Sequence, residues 1–312
     1  MDLVRGAMSM GLGCWFACVS MSAAAVGPLV IRMIAEGVYV HQGLQEKPSP
    51  TNGGDVANIG FVVGTTCVAV IDTGDTLAIG QALRAAVRRV TALPICYVIN
   101  THAHPDHVFG NAAFVDDAPQ FVGHARLPAA MAARGENYRR ALERDLGAAA
   151  RGSTLVAPTL LVADERALDL GDRIIRVRAW APAHTDCDLT IHDERTGTWW
   201  LADLLFVDRI PVVDGNLKGW LATLAALRAL PIPAHVVPGH GRVDAPWPQS
   251  LDAERRYLVG LADEVRAAIK AGRTMQQAVD TVGASERGRW SLFDRDHKRN
   301  VTAAYAELEW ED

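Results

Sequence analysis

The chain has no run of basic residues. Its 31 lysines and arginines stand against 36 aspartates and glutamates, for a formal net charge of −5. Nothing in that balance offers a footprint for a phosphate backbone, which argues against a nucleic-acid partner. Long low-complexity stretches are missing too, so disorder is not the plan of the molecule. No short internal repeat is visible, which excludes a solenoid. No Pro/Ser/Gly linker divides the chain after its amino-terminal segment. Cysteine is scarce, with 5 in 312 residues.

What is present is apolar bulk. Hydrophobic residues make up 49% of the chain, enough for a large core in one domain or at most two. Residues 1–25 read as a secretory signal: Arg5 is a short positive region, residues 7–22 are apolar, and Ala23, Ala24 and Ala25 give small residues for cleavage. The mature domain is then expected over residues 26–312, starting near Val26. A membrane anchor competes, but the apolar run is short for a span of about 20 residues. A lipid-modified Cys14 or Cys18 is a third reading, poorly matched by the preceding residues. The remaining cysteines, Cys67, Cys96 and Cys187, are odd in number, so at least one thiol must be free and no disulfide framework is implied. Cys67 and Cys96 lie in apolar strand-like runs and are expected to be plain core residues.

The mature sequence alternates strands and helices. Residues 56–63 and 67–71 read as two strands around a turn, and Asp72 ends the second. Helical spacing of Leu83, Val87 and Val90 predicts a helix over 77–93, ending before Pro94. A buried strand over 95–99, another at Phe121 and Val122, and a charged helix over 127–146 follow. Strands are expected at 174–179, 189–192, 198–201 and 235–237, with a helix over 217–230 between the last two. The tail is helical: Leu251, Leu258, Leu261, Val265 and Ile269 form one stripe, and Thr274 with Gln277 looks like a capping box. This is an α/β chain with sheets inside and helices outside. The polar loop 42–55 reads equally as a surface connection or as a flap.

Chemistry concentrates directly after the strand at 95–99, in His102-x-His104-x-Asp106-His107. Residues two apart in extended chain point the same way, so His102 and His104 can face one metal. Asp106 and His107, beyond Pro105, can turn to a second. Imidazole and carboxylate together suit zinc, and iron and manganese accept the same mix. Further ligands are expected at the ends of apolar runs: His184, Asp203 and His240.

In this order the motifs resemble the metallo-β-lactamase-fold hydrolases, from Val38 to about Gly241. The resemblance implies an αβ/βα four-layer sandwich, with a helical carboxy-terminal extension here. It implies that His102, His104 and His184 bind one zinc, that Asp106, His107 and His240 bind a second, and that Asp203 bridges them. Asp72 would support the loops that carry ligands. It also implies hydrolysis by a metal-activated water, with Asp106 and Asp203 as catalytic residues. Asp203 stands where the main metallo-β-lactamases carry Cys or Ser, which counts against β-lactam hydrolysis. Glyoxalase II enzymes share the seven ligands, but their carboxy-terminal basic pair finds no match.

Residues 54–61, 97–102, 111–114, 183–186, 289–294 and 299–305 are similar to the quinoprotein relay system zinc metallohydrolases. That similarity implies an exported, periplasmic setting beside a quinoprotein dehydrogenase, and no particular reaction. The zinc-hydrolase reading itself expects a small-molecule substrate such as an ester, lactone or thioester. An iron-dependent sulfur oxidoreductase and a non-catalytic accessory protein are the readings of other classes. Cys187 stands where that group leads one to expect Asn, and is either a tolerated swap or a soft third ligand. His41 is expected at a strand end, His124 near the metal loops, and His192 and His235 in structural roles. His297 and Asn300 are expected at the surface, and Trp180 and Trp220 in the core or on a substrate wall.

Overall fold

The computed structural model describes residues 27–243 and 245–311, so the signal segment expected over 1–25 lies outside the described residues. Seven strands form one sheet in sequential order: β1 (Arg32–Ala35), β2 (Val38–His41), β3 (Ile59–Val63), β4 (Val68–Ile71), β5 (Ile95–Ile99), β6 (Gln120–His124) and β7 (Leu160–Val162). The first four pair antiparallel, and β4 to β7 run parallel. Five strands form the second sheet: β8 (Glu165–Asp169), β9 (Ile174–Ala179), β10 (Leu189–Asp193), β11 (Thr198–Phe206) and β12 (His235–His240). Only β11 and β12 pair parallel there.

Two-residue periodicity sorts the apolar side chains into layers. On β4, Ala69 and Ile71 face the second sheet and meet Ile175, Val177 and Trp200. Val68 and Val70 face the other way, onto Leu83 and Val87 of α1 (Leu77–Val90). On the far side, Leu204 and Phe206 of β11 pack under α4 (Leu217–Arg228), α5 (Gln249–Lys270) and α7 (Phe293–Leu308). Helix, sheet, sheet, helix is the four-layer sandwich that the sequence led us to expect. Between these lie α2 (Pro105–Val108), α3 (Leu127–Leu146) and α6 (Met275–Thr281).

Several helix and strand limits agree with the sequence pattern, and the capping box at Thr274 and Gln277 is formed. α1 stops at Val90, where Thr91 turns extended. Strand β11 runs on to Phe206, so Asp203 lies within a strand instead of after one.

Two expectations are overturned. Cys67 and Cys96 are not separate core residues but a disulfide, with Cα atoms 5.8 Å apart. The cause is register: β4 and β5 run parallel with Val68 opposite Ile95, which sets the two cysteines side by side. His297 and Asn300 are not at the surface but buried. His297 bonds Tyr257 and the Val282 carbonyl, and Asn300 donates to the Pro211 carbonyl and Tyr257 while accepting from the Val213 amide. Trp180 and Trp220 both belong to the core.

Candidate metal centre

The carboxyl ends of β4, β5, β11 and β12 meet at one edge of the sandwich, and each parallel pair delivers its loops together. His102 and His104 sit on the loop after β5. Pro105 opens α2, whose first turn carries Asp106 and His107. His184 comes from the loop between β9 and β10, Asp203 from β11, and His240 ends β12. The structure brings all seven together. They fall into two groups, His102, His104, His184 and Asp203, and Asp106, His107 and His240; the ligand atoms of each group lie within 4.8 Å of one another. Asp203 reaches across: Oδ2 is 3.4 Å from His184 Nε2, and Oδ1 is 3.2 Å from His107 Nε2. Gly239 makes this approach possible, because a Cβ there would collide with Asp203 Oδ1.

An acceptor behind each histidine fixes which nitrogen faces inward. His107 Nδ1 donates to Asp72 Oδ2 at 2.8 Å, His184 Nδ1 to the Val212 carbonyl at 2.7 Å, and His240 Nδ1 to the Val56 carbonyl at 2.7 Å. Thr101 gives its hydroxyl hydrogen to Asp72 Oδ2, so its oxygen accepts from His102 Nδ1 at 3.0 Å. His104 is reversed: Nε2 donates to Asp214 Oδ2 at 3.0 Å and Nδ1 faces the cluster. In these tautomers, and once His107 gives up its proton, five lone pairs converge. Asp72, held at φ 52°, also takes the Thr101 amide, and so orders the whole ligand loop. Asp214 was not apparent in the sequence. It is the outer partner of His104 and is itself gripped by Arg134 and Arg299.

Such convergence of acceptors fits cations. His107 Nε2 and Asp203 Oδ1 face each other, buried and without hydrogen-bond partners, a costly arrangement unless a positive charge lies between them. Burial pushes the His184 imidazole down to about 3, so it is neutral with its lone pair free. Burial, with His107 nearby, likewise holds His102 well below the ordinary value. Burial would raise the Asp203 carboxyl, but His240, His107 and His102 outweigh it and hold it well below the usual carboxylate range. Burial would depress His107, yet Asp203, Asp72 and Asp106 raise it well above the ordinary value. The cluster draws positive charge, as a proton or as a metal ion.

The other histidines stay apart from the cluster. His41 ends β2 and ties the Val30 carbonyl to Asp55. His124 accepts from the Arg126 amide, His192 stacks on Trp199, and His235 is exposed at the start of β12. Cys187 is buried among Ala103, Val108 and Phe109, outside both ligand groups, and burial pushes its thiol up to about 12. No helix among the described residues is long and apolar enough to cross a membrane.

The linear primary-alkylsulfatase of Pseudomonas sp. (strain ATCC 19151) is 33% identical over 58 residues, which are 19% of this chain and only 11% of that enzyme. The solved metallo-beta-lactamase from Pontibacter korlensis superposes with a TM-score of 0.59 at 18% identity, covering 74% of this chain and 99% of that one. The structure of TMB-1 gives 0.59 at 16% identity, covering 75% and 98%. These two likenesses speak for the fold. The sequence profile of the Metallo-beta-lactamase superfamily matches residues 52–240, more than half of the chain and a span that holds every residue of the cluster, and the chain belongs to that superfamily.

Proposed function

We propose that the chain is an exported zinc hydrolase with a two-metal centre. His102, His104 and His184 would hold one zinc and Asp106, His107 and His240 the other, with Asp203 shared between the two groups. The observation that carries this reading is the convergence of five imidazole nitrogens around the Asp203 carboxylate. Zinc suits this nitrogen and oxygen set, and when bound it lowers the pKa of water and polarises the bond to be cut.

The protein's own groups do the rest. Asp203 stays ionised and fixes the spacing of the two groups. Asp106 lines the pocket, 3.4 Å from His240 Nε2, where it can orient an attacking water. Substrates in this reading are small esters, lactones, thioesters or sulfate esters, the last from the alkylsulfatase likeness. The Cys67–Cys96 bridge supports an oxidising compartment such as the periplasm. A setting beside a quinoprotein dehydrogenase is part of the same proposal and rests on sequence resemblance.

Metal analysis of the mature chain, followed by a panel of these substrate classes, is the test. About two zinc per chain and turnover abolished by chelation are expected. Turnover that survives complete metal removal defeats the reading, and so does a zinc-loaded chain inert to the whole panel.

A further inference from the structure

A cleft of about 300 Å³ opens in front of the ligand cluster. Its charge is informative. Five carboxylates line it, three of them besides Asp106 and Asp203, and so do four arginines: Arg144, Arg209, Arg295 and Arg299. Two bound divalent cations would turn that balance clearly positive, and a loaded pocket would favour an anion.

The arginines differ in how far they are engaged. Arg144 is paired with Asp145 at 2.7 Å, and Arg299 is locked on Asp214. Arg295 meets Asp296 Oδ1 only at 3.4 Å. Arg209 is 5% exposed, its Nε has no partner, and among the described residues it makes no ion pair. Its Nη1 lies 2.8 Å from His240 Nδ1. Where His240 holds a cation through Nε2, its Nδ1 carries the hydrogen, gives it to the Val56 carbonyl and leaves no lone pair for the guanidinium. A buried guanidinium without an ion pair, on the wall of a reaction pocket, calls for an anion.

The fold fixes Arg209 there. Asp208 sits at φ 60°, and Arg209 bridges to Ser291, with Ile210 N bonded to Ser291 O and Ser291 N to Asp208 O. Ser291 and Arg295 belong to the carboxy-terminal segment, outside the residues that the superfamily profile matches.

We propose that the pocket takes a substrate carrying an oxyanion group, a carboxylate or a sulfate, and that Arg209 and Arg295 hold that group; this rests on the two-cation reading of the centre. The test is calorimetric titration of the zinc-loaded full chain with 1-hexanesulfonate and with 1-hexanol, after metal analysis. The sulfonate is expected to bind at least tenfold tighter than the alcohol. Arg209→Ala and Arg295→Ala should each weaken it tenfold or more with zinc retained, and Arg209→Lys should lie between. Equal binding of the two probes overturns the proposal. So does sulfonate affinity within twofold of the wild type in both alanine variants, since the anion would then sit on the metals alone. Should Arg209→Ala fail to fold or to load zinc, Arg295→Ala and Arg209→Lys decide by the same thresholds, since Arg295 is on the open side of α7. A wild-type chain that binds no zinc defeats the two-cation reading and this inference together. A chain that binds the sulfonate as expected but hydrolyses nothing defeats the proposed activity alone.

Discussion

A histidine offers a metal a lone pair only from the nitrogen that carries no hydrogen, so the group behind the ring decides the ligand in front. At His104 that group is Asp214, which Arg134 and Arg299 hold in place. Asp214→Asn keeps the size but removes the charge that anchors Nε2–H, and leaves two guanidinium groups without their anion. The expected result is zinc affinity lower by about 10–100-fold, measured by chelator competition. Affinity within twofold of the wild type would show that His104 needs no such support. Asp203→Asn is more severe, because one oxygen becomes an amide that cannot accept and the bridge between the groups is lost. Hydrolysis should fall by about 100-fold or more, at about 1.4 kcal/mol per factor of ten. The candidate ligands of the loop after β5 were legible because they are crowded into one segment. Asp214 was not, since its partner lies 110 residues away and nothing local distinguishes it.

At the scale of elements, β11 shows what pattern reading misses. The apolar run at residues 198–201 marks the strand, but its continuation through Asp203 to Phe206 looks like a break. A shift at Ala202, at φ 47°, re-aims the chain so that Asp203 reaches the metal edge while Leu204 and Phe206 enter the core. Strand β8 was missed for another reason: Glu165–Asp169 is mostly exposed and polar, and its pairing with β9 is what makes it a strand. The far end of β11 is held from α5, where Glu254 Oε1 accepts the Phe206 amide at 3.0 Å. Glu254 is fully buried, Oε2 has no partner, and burial pushes the carboxyl well above its ordinary value. The sign follows directly. In the unfolded chain this group ionises near about 4.3, whereas in the folded chain it keeps its proton to higher pH. Folded protein therefore binds more protons across that window, and stability falls as pH rises toward the folded value, by up to about 1.4 kcal/mol per pH unit. Glu254→Gln removes this slope. Urea midpoints of the variant should match the wild type at acid pH and exceed it at alkaline pH; parallel profiles would mean that Glu254 is already ionised in the native state.

The whole molecule depends on what lies beyond the superfamily span as much as on what lies within it. The alternation of strands and helices made the layered sandwich legible, whereas the Cys67–Cys96 bridge depended on which strands become neighbours, a fact of topology that cysteine counting cannot supply. That bridge closes a loop with a sequence separation of 29, so replacing both cysteines with serine should cost about 3–4 kcal/mol, read as a lower denaturant midpoint. The carboxy-terminal helices matter more. From α5 come Leu251, Tyr257, Leu258, Leu261 and Val265, and from α7 come Val301, Ala304 and Leu308, all in the cluster that covers Leu204, Phe206 and Trp220. Each large side chain buried there contributes about 1.5–3 kcal/mol. Their sum is comparable to the ~5–15 kcal/mol by which a domain is stable at all. The same segment supplies Asn300 to the loop that carries Asp214, and Arg299 to Asp214 itself. A chain ending at residue 248 should therefore not fold into a smaller version of the enzyme. It should aggregate or lack a cooperative thermal transition by circular dichroism. A soluble fragment that melts cooperatively and still binds two zinc would mean that the helices only decorate a self-sufficient sandwich.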